Sequence, residues 1–162
     1  MNITIEINDD NKEFQVKPGK ILLDLLRREG YTSVKEGCKT GDCGACMVLV
    51  NGRAMTSCTL FAAQVDGKRI TTLEGLNDEL ADSLRQEFLD VGAIQCGFCI
   101  PGVLISSYSL LTHNPNPTEG EIKAALDGNL CRCTGYIKQI EAIKNVARDL
   151  EGGNNERRRE KI

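Results

Sequence analysis

The chain has 162 residues, 41% of them apolar and only 4% aromatic, with no tryptophan, so it has material for one modest core or two small ones. A formal net charge of −3 and a pI near 5.3 argue against nucleic acid as a partner. No apolar run approaches the roughly 20 residues that span a bilayer, and the opening MNITIEINDD has none of the regions of an export signal. A cytoplasmic protein with no membrane span is expected.

Residues 2–7 set Ile3, Ile5 and Ile7 against Thr4 and Glu6, the alternation of a half-buried strand. Asn8 to Asn11 supplies a turn into a second strand at about 12–17. In ILLDLLRREG, Leu22, Leu25 and Leu26 mark one helix face, and Gly30 stops it. A glycine-rich loop follows from Glu36 to Cys46. Strands at 47–50 and 53–55 flank Asn51-Gly52, a strong hairpin signal, and 69–73 adds another strand. This order predicts a small mixed sheet holding one helix.

From about residue 77 the period becomes helical, with Leu80, Leu84, Phe88 and Val91 on one stripe and an apolar helix from Val103 to Leu111. His113 reads as a solvated loop residue. Thr118 and Glu121 have capping-box spacing and open a helix through Leu126. A last helix begins near Tyr136 and carries Ile137, Ile140, Ile143, Val146, Ala147 and Leu150, so these four helices predict a bundle. The polar segment 152–162, with three arginines, reads as a disordered, solvated tail.

The eight cysteines form two quartets, Cys38-x4-Cys43-x2-Cys46-x11-Cys58 and Cys96-x2-Cys99-x31-Cys131-x1-Cys133. The first opens with the plant-type spacing for a two-iron, two-sulfur cluster. The second joins a CxxC to a CxC. A Rieske centre needs two histidines, and His113 stands alone; the bacterial four-iron run is also absent. Disulfides lack an oxidising compartment to support them, whereas zinc is the nearer rival, since four thiolates suit a tetrahedral ion. Two all-cysteine 2Fe-2S clusters are the economical assignment, and they point to electron transfer. Gly37, Gly41 and Gly44 let backbone N–H groups approach sulfur. Cys99 precedes Pro101 and Cys133 precedes the last helix, so the second cluster is expected between two helix N-termini, whose dipoles favour negative charge.

VKEGCKTGDCGACMVLVNG, QCGFCIPG and GNLCRCTGY resemble the cysteine motifs of the small iron-sulfur subunit of the molybdenum hydroxylases, the xanthine dehydrogenase family. The resemblance covers about residues 2–150. It implies an α+β protein in which a plant-type ferredoxin-like β-grasp domain (1–76) precedes an all-α four-helix-bundle 2Fe-2S domain (77–151). It also implies that Cys38, Cys43, Cys46 and Cys58 hold the cluster nearer the flavin, and Cys96, Cys99, Cys131 and Cys133 the cluster nearer the molybdenum. Gln95 and Cys133 would contact the molybdopterin of a large partner subunit, with FAD on a medium partner subunit. The chain would carry electrons singly from the molybdenum centre to FAD and contribute no catalytic residue of its own. The complex would be an oxidoreductase hydroxylating a heterocycle or aldehyde. Xanthine or another purine is the preferred substrate, with nicotinate, aldehyde, carbon monoxide and hydroxybenzoyl-CoA enzymes as alternatives. A free-standing two-cluster ferredoxin is the alternative of another class. Ile100 stands where the family commonly has threonine, so a buried hydroxyl contact is expected to be missing.

Overall fold

In the computed structural model, which describes residues 1–152, the alternating isoleucines of β1 (Asn2–Ile7) all point inward: Ile3, Ile5 and Ile7 are buried. The strand pairs antiparallel with β2 (Asp10–Gln15), Ile3 lying opposite Phe14. Only Asn8 and Asp9 form the turn, both with positive φ (51° and 68°). This two-residue turn matches the right-handed strand twist, which is why β2 begins two residues before the expected strand.

The helix α1 (Leu22–Arg28) buries Leu22, Leu23, Leu25 and Leu26 beneath the sheet and ends at Gly30, whose φ is 93°. A hairpin of β3 (Met47–Val50) and β4 (Arg53–Thr56) turns on Asn51 and Gly52, as the dipeptide predicted. β5 (Arg69–Thr71) lies between β1, to which it is parallel, and β3, to which it is antiparallel, in the order β2-β1-β5-β3-β4. It is shorter than expected because buried Thr72 donates its backbone N–H to Asn8 Oδ1 (2.9 Å) and the chain enters a 3₁₀ turn at Leu73–Gly75.

The second half comprises α2 (Glu79–Asp90), α3 (Ile100–His113), α4 (Glu119–Leu126) and α5 (Ile137–Gly152). Asp78 caps α2 by accepting the Ala81 N–H, and the expected capping box opens α4 between Thr118 and Glu121. Leu84, Phe88, Val103, Ile122, Ile143 and Val146 meet in one apolar cluster, giving the α+β class expected. Ile100 is buried in that cluster. Three boundaries differ from the expectation. Pro101 occupies the first turn of α3, so this helix starts three residues before Val103. It also continues to His113, whose Nδ1 lies 2.7 Å from the Ser109 carbonyl; this is a helix-end residue and not a loop residue. The helix α5 extends to Gly152, the first residue of the expected tail, and residues 153–162 lie outside the described residues.

The two halves share packing. Leu49 of β3, Leu76, Ala81 of α2 and Ile105 of α3 form a third buried cluster, and the Ser109 hydroxyl accepts the Ala54 N–H (3.2 Å) across the junction. Among the described residues no helix is long and apolar enough to cross a membrane.

Candidate metal centres

The first quartet is built from the loop between α1 and β3 and from the 3₁₀ turn Ser57–Thr59 after β4. Pairing of Met47 with Thr56 ends the hairpin beside Cys46, and Ser57 then donates both its N–H (3.2 Å) and its hydroxyl (2.8 Å) to the Cys46 carbonyl. Cys58 thereby returns to Cys46 although eleven residues separate them. Both are buried, while Cys38 and Cys43 are partly exposed. The sulfurs receive backbone donors: Cys38 N–H to Cys43 Sγ at 3.4 Å and Thr40 N–H to Cys38 Sγ at 3.3 Å. At Gly37 a Cβ would stand 2.7 Å from Cys43 Sγ, so the side chain is excluded by the sulfur itself.

In the second quartet Cys99 is the buried residue preceding α3, Cys131 is partly exposed, and Cys96 and Cys133 are exposed. The Tyr136 hydroxyl accepts the Cys131 N–H (2.7 Å) and donates to the Asn129 carbonyl (3.0 Å), pinning the CxC turn. The Thr134 hydroxyl donates to Cys131 Sγ at 3.0 Å, and the buried Gln139 amide approaches Cys99 Sγ at 3.7 Å. Gln95 is exposed next to Cys96.

The thiols of each quartet differ in their electrostatic surroundings. A bond with Thr40, assisted by Cys43, brings the Cys38 thiol down to about 6, whereas burial and then the Cys46 neighbour push Cys58 up to about 11. Burial and then Cys131 push Cys99 up to about 11, and Cys96 raises Cys133. Burial alone would raise Cys131, but the Thr134 hydroxyl, the backbone N–H groups of Thr134 and Cys133 and the Cys99 thiol together outweigh it and leave that thiol lowered. The thiol that most affects each of these is Cys43 for Cys38, Cys46 for Cys58, Cys131 for Cys99 and Cys96 for Cys133. All eight thiols are free. Four free thiols in each quartet are the all-cysteine donor set that a 2Fe-2S cluster takes, so the residues fit that group.

The quartets also touch through the backbone. Leu130, the residue before Cys131, donates its N–H to the Cys43 carbonyl (3.0 Å), and Asn129 Nδ2 donates to the Gly44 carbonyl (3.3 Å). Sequence reasoning missed Asn129, Thr134, Tyr136 and Gln139. The spacing of Gln139 with Ile143 and Val146, one helix face, was a readable signal that a polar residue stood at a core position.

Comparisons with known proteins agree with this geometry. The 2Fe-2S iron-sulfur cluster binding domain model matches residues 5–68, and the 2Fe-2S binding domain model matches 72–144. The nicotinate dehydrogenase small FeS subunit of Eubacterium barkeri is 48% identical over 146 residues, 89% of this chain and 93% of that protein. The xanthine dehydrogenase iron-sulfur-binding subunit of Escherichia coli O157:H7 is 44% identical over 154 residues, 92% and 94% of the two chains. The solved quinoline 2-oxidoreductase of Pseudomonas putida 86 includes a chain 41% identical, superposing with a TM-score of 0.86 over 94% of this chain and 97% of that one.

Proposed function

The chain belongs to the family of small, two-cluster iron-sulfur subunits of the molybdenum hydroxylases, and from that premise we propose how its residues divide the work of electron transfer. Its role is that of an electron-transfer subunit in an oxidoreductase complex. Cys38, Cys43, Cys46 and Cys58 hold one 2Fe-2S cluster, and Cys96, Cys99, Cys131 and Cys133 hold the other. Each cluster, when bound, takes up and releases one electron. The protein supplies burial at Cys46, Cys58 and Cys99 and hydrogen-bond donors at Cys38, Cys43, Cys99 and Cys131.

The observation that carries this reading is the join between the quartets, a 3.0 Å hydrogen bond from Leu130 N–H to the Cys43 carbonyl. It links a ligand of one cluster to the neighbour of a ligand of the other, leaving only a short protein bridge between them.

Exposure supports a direction. Cys96 and Cys133 are exposed together with Gln95, and near them in the chain Phe98 (48%), Leu130 (59%) and Ile137 (75%) display apolar surface. Apolar side chains so exposed suit a protein interface. A large molybdopterin-binding subunit is assigned there, with Gln95 and Cys133 as its contacts and the electron entry point. The sheet-loop cluster then faces a medium FAD-binding subunit. Nicotinate, xanthine and quinoline, named for the relatives, are all nitrogen heterocycles, so a nitrogen heterocycle, with purines foremost, is the substrate class proposed. The free thiols suit the reducing cytoplasm.

Purification of the native complex tests this. About four irons per copy of this chain, copurifying molybdenum and FAD, and bleaching of the cluster bands by xanthine or nicotinate are expected. Fewer irons after full reconstitution, or a chain that purifies without molybdenum, would overturn the assignment.

A further inference from the structure

Gln139 occupies a place where an apolar side chain would be expected. It sits in the first turn of α5 with none of its surface exposed to solvent, on the face that Ile143 and Val146 continue into the helical core. Its Nε2 lies 3.7 Å from Cys99 Sγ, and its Oε1 has no partner among the described residues. A buried amide satisfied at one end only is costly. The end that is satisfied points to what the residue does.

Cys99 is itself the most enclosed thiol of its quartet, so the amide approaches sulfur from the protein side, where no solvent screens it. An amide oxygen turned toward an anionic thiolate would be repelled, which sets the N–H end toward sulfur. When a 2Fe-2S cluster takes up one electron and no proton, negative charge on its sulfur ligands increases, and a fixed N–H dipole stabilises the reduced form more than the oxidised one. The backbone donors to Cys38 and Cys43 do the same in the other quartet, but they come with the loop conformation. Gln139 is a side chain, brought to Cys99 from forty residues along the chain by the packing of α5 against α2 and α4.

We propose that Gln139 raises the reduction potential of the cluster held by Cys96, Cys99, Cys131 and Cys133, through an N–H donated to Cys99 Sγ. The amide makes the cluster at the electron-entry end a better acceptor than an apolar residue would. This rests on the four cysteines being cluster ligands.

The test replaces Gln139 by methionine, which keeps the length and lack of branching and removes the donor, with Gln139→Leu as a second apolar variant. Both are made in the native complex. Reductive titration with dithionite as the electron source, followed by electron paramagnetic resonance, reads the two clusters separately. At the parent midpoint, the ratio of reduced to oxidised second cluster is expected to fall about three- to tenfold, tenfold being about 59 mV for one electron. The other cluster should not shift, iron content should hold, and the melting temperature should stay or rise as the unpaired carbonyl is removed. Unshifted midpoints with both clusters intact would overturn the proposal, as would equal shifts of both clusters. A parent complex with no second cluster signal would overturn the ligand assignment, and this proposal with it.

Discussion

Replacing Gly44 by alanine should separate the two quartets. Gly44 has a φ of 66°, and a left-handed conformation costs an L-residue about 1–2 kcal/mol. Its new Cβ would stand 2.9 Å from Asn129 Cα and closer still to the Gly128 carbonyl oxygen and the Asn129 amide. Carbon contacts settle at about 3.5–4.0 Å, so the loops must part by roughly 1 Å. Overpacking of this kind costs about 1–3 kcal/mol. The total of about 2–5 kcal/mol, at about 2–4 °C per kcal/mol for a chain of this size, predicts a melting temperature lower by about 4–20 °C.

Two other glycines divide the effect. Gly52 has a φ of 83° and nothing within 4 Å of a Cβ, so Gly52→Ala carries backbone strain alone. Gly102 lies inside α3, and its Cβ would overlap the Gly44 carbonyl oxygen, so Gly102→Ala carries overlap alone. Circular dichroism melts of the cluster-loaded protein compare the three, and pulsed electron paramagnetic resonance reads the magnetic coupling between the clusters. Coupling should weaken in the Gly44 and Gly102 variants and hold in the Gly52 variant. If Gly44→Ala melted no lower than Gly52→Ala and coupling stayed constant, the close join between the quartets would be refuted.

Thr134→Val removes the hydroxyl that donates to Cys131 Sγ, and the second cluster's midpoint should fall by about 40 mV for each ~1 kcal/mol of differential stabilisation lost, read by redox titration. In the cluster-free chain Cys38, at about 6, is thiolate at pH 7 and should be alkylated first, while Cys58 and Cys99, at about 11, resist; peptide mass mapping reads the order. The cluster takes thiolates, so its binding releases the protons of Cys58 and Cys99, and reconstitution should improve from pH 7 to 9, with Cys38 contributing nothing there. The cluster-free fold has the opposite sign: thiols raised from 9.0 to about 11 keep their stabilising share below pH 9 and lose it as pH rises to about 11. Ile137→Asp places a charge on the exposed apolar surface beside the second quartet and should abolish copurification of the large subunit while both cluster spectra persist. Intact assembly of that variant would move the interface elsewhere.

Much of this protein is written locally. The isoleucine alternation of β1, the Asn51-Gly52 turn, the capping box of α4 and the spacing of eight cysteines each lie within a few residues of chain, where sterics and hydrogen bonding act without the rest of the fold. Those signals were enough to read the α+β class and the two quartets. Boundaries shifted where a distant residue intervened, as when Asn8 captured the Thr72 N–H and ended β5, 64 residues away in sequence. The join of Gly44 with Asn129 spans 85 residues, and the approach of Gln139 to Cys99 spans 40. Nothing in the local pattern distinguishes a glycine that turns a loop from one that makes room for another backbone, or a misplaced polar residue from a hydrogen-bond donor to sulfur. Cysteine spacing alone therefore determined that there are two metal sites. Tertiary packing decided how close they lie and which groups surround each sulfur, because distance and burial exist only once the chain has folded back on itself.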